Sequence, residues 1–183
     1  MMKKSELRKL YKRKRKELTK EQVISLQKNI YKQVFFLDFS KVTYIHVFLS
    51  IEKQHEIDTQ PIIDFLRVLG KTIVISKSDF KTNTLKHYLY NENTRLEVNE
   101  YGIPEPVNAE RIAVENIDLV FVPMLISDAK NYRVGYGKGF YDRFLKECKS
   151  TVKTIGLNFF EPITSIEDVD EHDVALQKVI YPI

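Results

Sequence analysis

The chain has 183 residues, 43% of them apolar and 30% charged, with a formal net charge of +4. This is the balance of a soluble globular protein, long enough to bury a core as one domain spanning 1–183. A single cysteine, Cys148, excludes an internal disulfide framework and fits a reducing compartment.

The net charge hides an asymmetry. Residues 1–20 carry ten Lys/Arg against two Glu, a balance of +8, and the remainder carries 19 basic and 23 acidic residues, a balance of −4. Such an arm suits nucleic acid, a smaller polyanion, or a solvated helix face. The opening residues lack the apolar core of a signal peptide, and nothing later resembles a membrane span, so the expected address is cytoplasmic.

In chain order, Leu7, Leu10, Tyr11 and Leu18 recur at helical spacing and predict an amphipathic helix over 4–17 with a basic outer side. Thr19 followed three residues later by Gln22 is a capping-box pattern. It opens a second helix, whose stripe is Val23, Ile24, Gln27, Ile30, Tyr31, Val34 and Phe35. Residues 43–49, rich in β-branched and aromatic types, predict a buried strand. Asp58 or Thr59 caps a third helix, with Pro61 in its first turn and Gly70 closing it. Residues 72–75 predict the next strand, so 43–75 form a βαβ unit with a parallel strand pair. Further strands are expected at 85–90, at 117–122 (stopped by Pro123), at 152–157 and at 178–181. Residues 91–116 read as irregular, with an ordered turn at 101–106. The fold class is α/β: three layers, with helices on both faces of a mostly parallel, Rossmann-like central sheet. The loops after residues 49, 75, 122 and 157 are expected to line one crevice at the carboxyl ends of the strands.

The densest chemistry lies in Tyr132-Arg133-Val134-Gly135-Tyr136-Gly137-Lys138-Gly139-Phe140-Tyr141-Asp142-Arg143-Phe144-Leu145. Three of the chain's six glycines alternate here, immediately before a predicted amphipathic helix that includes Cys148, read as a small buried hydrophobe. Alternating glycines admit a ligand close to the backbone, and the following helix points unpaired amides and its positive dipole end into the loop. That is a phosphate cradle. Asp142 adds a carboxylate, which beside phosphates calls for an intervening cation. The segment therefore reads as a site for a nucleotide and a divalent metal.

The pattern is neither a Walker loop, which needs a Gly-Lys-Ser/Thr ending, nor the dinucleotide fingerprint, whose third glycine falls where Phe140 stands. A tight turn without a ligand is one alternative. RNA binding is another, because Lys138-Gly139-Phe140 begins like the stacking strand of an RNA-recognition motif; Tyr141 and Asp142 then break that pattern. Elsewhere Glu56 reads as a loop carboxylate, Glu171-His172-Asp173 as a polar cluster, His46 as a satisfied core residue, and His87 has no evident partner.

From about Lys4 to Tyr181 the chain resembles the 5-formyltetrahydrofolate cyclo-ligase family. The resemblance rests chiefly on Arg133–Leu145, similar to that family's Arg-Leu-Gly-Tyr/Arg-Gly-Gly/Lys-Gly-Tyr-Tyr-Asp signature. Supporting pieces are Lys4-x-x-x-Arg8, Phe48-Leu49-Ser50 with Glu56-Ile57-Asp58-Thr59, Gly102-Ile103-Pro104-Glu105-Pro106, Asp118-Leu119-Val120 through Pro123, and His172-Asp173. The resemblance implies ATP- and Mg2+-dependent closure of 5-formyltetrahydrofolate to 5,10-methenyltetrahydrofolate. It implies small-molecule partners only, with neither nucleic acid nor membrane, acting on a monomer or homodimer. It assigns ATP phosphates to Lys4 and Arg8, and the nucleotide to Arg133, Val134, Gly135, Tyr136, Gly137, Lys138, Gly139, Phe140 and Tyr141. Lys138 and Arg133 become the catalytic cations, and Asp142 and Asp173 the Mg2+ carboxylates. Leu49, Glu56, Tyr136, Lys138 and Phe140 become folate contacts. Four positions depart from the family pattern: Met124 and Asn131 where glycine is usual, Ser127 where phenylalanine is usual, and Ser76 where proline is usual. A sugar-phosphate or CoA-type enzyme on a related scaffold is the competing enzyme reading.

Overall fold

The computed structural model describes residues 1–183. Four helices form: α1 (Lys4–Glu17), α2 (Lys20–Phe35), α3 (Gln60–Val68) and α4 (Phe140–Glu147). The strands are β1 (Tyr44–His46), β2 (Thr72–Asp79), β3 (Thr84–Leu89), β4 (Leu96–Val98), β5 (Pro104–Pro106), β6 (Arg111–Ile112), β7 (Leu119–Pro123), β8 (Ile126–Ser127), β9 (Arg133–Val134), β10 (Lys153–Leu157) and β11 (Lys178–Ile180). Seven of them make one sheet in the order β11-β10-β7-β1-β2-β3-β6. The first five are mutually parallel, and β3 and β6 add antiparallel at one edge.

Strand alternation sorts the side chains into two layers. Ile45, Val47, Ile73, Ile75, Leu119, Phe121, Ile155 and Leu157 face Ile30 and Val34 of α2 and Ile62, Ile63 and Leu66 of α3. Val74, Val120 and Val122 face the other way, toward Phe144 and Leu145 of α4. A third cluster lies outside this sandwich. Leu7 and Tyr11 of α1 pack with Leu125, Ile126, Val134 and Ile166, so α1 covers the two-stranded β8–β9 hairpin. The capping box expected at Thr19 is present: its hydroxyl accepts from Gln22 N, and the Gln22 side chain accepts from Thr19 N.

Several boundaries differ from the sequence expectation. β1 covers three residues, not 43–49, because the chain leaves the sheet to make local bonds. Thr59 Oγ1 donates to Phe48 O (2.6 Å) and Ser50 Oγ to Ile57 O (2.7 Å). β2 runs on to Asp79 because β3 pairs with its second half as a hairpin. Residues 91–116 are not irregular: they hold β4, β5 and β6. These strands are too short, and β5 too proline-bounded, to show a period. The β8–β9 hairpin begins where only loop was expected, with Asn131 at φ 63 in its turn. Asp58 and Thr59 share the start of α3 differently from a simple cap, with Asp58 Oδ1 accepting from Gln60 N while Thr59 faces inward. Cys148 lies one residue past α4, half-buried against the α4-side core.

Gly156 in β10 explains one departure from the family pattern. A Cβ there would lie 2.1 Å from Met124 Cε and 2.8 Å from Leu176 Cδ1. Met124, 1% exposed, fills the space that the missing side chain leaves. Gly156→Ala should therefore overpack this layer and cost about 1–3 kcal/mol, read as a lower urea midpoint with an unchanged slope.

Candidate active site

A concavity of about 640 Å3 opens at the carboxyl ends of the central strands. The expected crevice is only partly right. The segment after β1 lines it, but β7 contributes its last residue, Pro123, and β2 contributes Ser76 and Ser78 from within the strand. The loop after residue 157 turns away: Asn158 Nδ2 bonds Phe160 O, and Phe159 is core. α1 closes that side with Lys4, Arg8 and Lys12, joined by Asp170, His172 and Asp173.

One end of the cleft gathers cations and a glycine-rich backbone. The glycine segment forms a loop between β9 and α4, with Gly137 at φ 94 and Gly139 at φ 68. Helix geometry leaves the first-turn amides of α4 without internal acceptors on the same side. This disagrees with the RNA-recognition reading, which needs residues 138–145 as a central strand. Arg8 Nε donates to Gly135 O (2.9 Å), and its guanidinium lies so near Gly137 that a Cβ there would be 3.1 Å from Cζ. Arg143 ties down the far side, donating from Nε to Asn83 O (2.7 Å) and from Nη2 to Lys138 O. Lys138 itself is exposed at the cleft.

Asp142 is bonded to the residue that follows Asp173. Asp142 Oδ1 accepts from Arg133 Nη2 (2.8 Å) and from Val174 N (3.1 Å), while Arg133 Nη1 donates to Val174 O (2.6 Å). Asp173 Oδ2 accepts from Lys4 Nζ and from Asp170 N (2.7 Å). Burial pulls the Arg133 guanidinium down from its usual range, opposed by Asp142 and Asp173. Both of its Nη atoms are committed, so Arg133, buried where it lines the cleft, buttresses Asp142. Val134 is likewise buried in the α1 cluster. The second oxygen of each carboxylate has no protein partner. No group of three or more His, Cys, Asp or Glu side chains forms a metal cage. A divalent ion held by these two oxygens would complete its shell from phosphate and water, as Mg2+ does.

The other end is aromatic and apolar, with one carboxylate. Phe80 stacks on Tyr101 (4.1 Å) and meets Phe140 edge-on (5.3 Å), and half-buried Leu49 lines the same wall. Glu56 Oε1 accepts from Tyr136 Oη (2.6 Å) and Oε2 from Ile51 N (2.8 Å). Burial raises the Glu56 carboxyl, and the Tyr136 bond, the Ile51 amide and the Arg15 charge oppose that rise.

Sequence reasoning missed two arrangements. Arg15, 3% exposed, reaches Tyr136, and its spacing from Leu7 and Tyr11 was the available signal. His46 is in the core as expected but satisfied at Nε2 only, its Nδ1 having no partner, and His87 does have a partner. His46 Nε2 and His87 Nδ1 lie 2.8 and 3.0 Å from Ser76 Oγ. Ser76 and His87 are directly opposite in the antiparallel β2–β3 pair, a register that no local pattern discloses.

A model of the 5-formyltetrahydrofolate cyclo-ligase family matches residues 1–182. The chain belongs to the 5-formyltetrahydrofolate cyclo-ligase family. It is accordingly an enzyme of the ligase class. The Mus musculus 5-formyltetrahydrofolate cyclo-ligase is 32% identical over 75% of this chain and 72% of its own length. The Escherichia coli K12 protein of the same name is 30% identical over 75% and 77%. Among solved structures, Aquifex aeolicus 5,10-methenyltetrahydrofolate synthetase superposes with a TM-score of 0.80 at 29% identity, covering 96% of this chain and 88% of that one. The Mycoplasma pneumoniae 5,10-methenyltetrahydrofolate synthetase, at 23% identity and a TM-score of 0.75 over 98% and 99%, shares the fold. No helix is long and apolar enough to cross a membrane.

Burial lowers His87 from 6.5 to about 4, with Arg111 adding to the effect, and holds His46 well below the imidazole range. The unfolded chain thus takes up protons first. The stability from neutral His87 is full above about pH 6.5 and is lost as pH falls toward about 4. Urea midpoints should drop across that interval, and His87→Gln should flatten the drop; an identical slope in both proteins would exclude His87 as its source.

Proposed function

We propose that the chain closes 5-formyltetrahydrofolate to 5,10-methenyltetrahydrofolate, hydrolysing ATP to ADP and phosphate with Mg2+. It would do so as a single domain in the cytoplasm, as a monomer or homodimer. The observation that carries this reading is the two-ended cleft. An amide- and cation-lined loop with two carboxylates adjoins an aromatic wall with one half-buried carboxylate, which suits a triphosphate facing a flat, hydrogen-bonding heterocycle.

The chemistry calls for both ends. A formamide carbon is a weak electrophile and its oxygen a weak leaving group. Transfer of the γ-phosphoryl to the formyl oxygen corrects both. N10 then bonds to the formyl carbon and loses its proton, and phosphate departs carrying the former formyl oxygen, leaving the methenyl bridge. Such transfer needs alignment and charge neutralisation more than a protein nucleophile. Lys4 and Arg8 would bind phosphates from α1, and backbone amides of 134–141 would wrap the nucleotide. Lys138 would offset charge on the transferring group, and Arg133 would act by holding Asp142. Asp142 and Asp173 would hold Mg2+, which neutralises the triphosphate when bound. Leu49, Tyr136 and Phe140 would hold the folate, and Glu56 would accept hydrogen bonds from the pterin.

Absorbance tests the reaction directly. The methenyl product's near-ultraviolet band should appear only with protein, ATP, Mg2+ and 5-formyltetrahydrofolate together, and its absence from the complete mixture would end the proposal. Lys138→Ala should lower kcat by at least ~10²-fold, the scale of a lost transition-state charge partner; wild-type turnover would remove Lys138 from the chemistry. Asp142→Asn should shift the Mg2+ titration to higher concentration, and an unmoved titration would speak against ligation.

A further inference from the structure

Arg15 is one of three buried positions on α1, after Leu7 and Tyr11, and the only one that is charged. No carboxylate pairs with it directly. Nη2 donates to Met124 O, Nη1 donates to Tyr136 Oη (3.3 Å), Cζ lies 5.8 Å from the centroid of Phe159, and Nε has no partner. A buried guanidinium without a counter-charge is strongly unfavourable. The nearest anion on its hydrogen-bond path is Glu56, one phenol away. Tyr136 Oη accepts from Arg15 and donates to Glu56 Oε1. That phenol keeps its proton, since burial and the adjacent Glu56 push it far above its usual range. The relay therefore runs one way, from cation through hydroxyl to carboxylate.

We propose that Arg15 is a positioning residue for the substrate end of the cleft: acting through Tyr136, it supplies the counter-charge that holds Glu56 as an aimed carboxylate. Arg15 lies outside the glycine loop, and its side chain is absent from the cleft wall. The idea that this carboxylate receives the pterin rests on the function proposed above. The coupling between Arg15 and Glu56 does not.

The titratable and charged groups around Glu56 come from three elements. α1 supplies Arg15 and, over the Tyr136 ring at 5.3 Å, Lys12. The glycine loop supplies Tyr136, and α4 supplies Tyr141, whose phenol also feels Glu56. Of the two cations, Arg15 is the one whose charge lowers the Glu56 carboxyl. Removing it leaves desolvation less opposed. Glu56 should then take up a proton at higher pH, and a protonated carboxyl presents fewer acceptor sites to a donor-rich heterocycle.

The test uses the full chain with Arg15→Met, Arg15→Lys and Tyr136→Phe. Carbon-13 NMR of the Glu56 carboxyl should show its titration moving up by about one pH unit, a tenfold gain in proton affinity, in Arg15→Met. Arg15→Lys should recover part of that shift. Tyr136→Phe also loses its own bond to Glu56, so it serves as a background: with the relay cut, adding Arg15→Met should shift the titration less than Arg15→Met does alone, and Arg15→Gln replaces Arg15→Met if that variant does not fold. In Arg15→Met, KM for 5-formyltetrahydrofolate should rise about tenfold, increasingly toward acid pH, with KM for ATP unchanged. Glu56 titrating at the parental pH in Arg15→Met, or in its Gln replacement, would overturn the proposal. A parental protein that makes no methenyl product would overturn the function while leaving the NMR result to decide the coupling.

Discussion

The cleft depends on how α1 lies across the β8–β9 hairpin. Leu7 and Tyr11 are buried against Leu125, Ile126 and Val134, and that contact fixes the rotation of a helix that is otherwise basic on most sides. Once it is set, Lys4 meets Asp173, Arg8 meets the Gly135 carbonyl, and Arg15 meets Tyr136. All three reach segments more than a hundred residues downstream. The helix thus holds Lys4 and Arg8 at the rim and Arg15 buried behind it, and part of its surplus charge gains a local purpose. Apolar packing does the holding, since exposed ion pairs alone contribute little.

Charge in the cleft is arranged as offset pairs. Arg133 lies under Asp142 and Lys4 beside Asp173, so each carboxylate is fixed by one oxygen and left with the other. Buried pairs of this kind are poor sources of stability but strong constraints on geometry. Glu56 follows the same logic at greater distance, with a phenol and a backbone amide in direct contact and the cation one bond further away. The two ends of the cleft are therefore pre-set by neutralised groups, which limits the reorganisation that accompanies binding.

The departures from the family pattern have uneven explanations. Met124 fills the layer above Gly156, and Asn131 adopts the left-handed backbone that a glycine would supply. Ser76 bridges two imidazoles that would otherwise be buried without a shared partner. Nothing in the structure explains Ser127, whose buried hydroxyl has no partner.

The helices were legible because each has a local signature. Examples are the Thr19–Gln22 box, Pro61 in the first turn of α3, and the stripe Ile30–Val34. The hydrophobic strands were legible by composition, and the glycine loop by chemistry that needs no distant partner. What stayed hidden was register and reach. The shortness of β1 follows from Thr59 and Ser50 capturing nearby carbonyls, and the length of β2 from its pairing with β3. The commitment of Arg133 to Asp142, the Arg15–Tyr136–Glu56 relay and the Ser76 bridge each join residues far apart in sequence. Local propensity acts over a few residues, so the sequence by itself determined the helices, the longer hydrophobic strands and the glycine loop. Only tertiary packing, which fixes the rotation of α1 and the pairing of β2 with β3, decided which side chains meet.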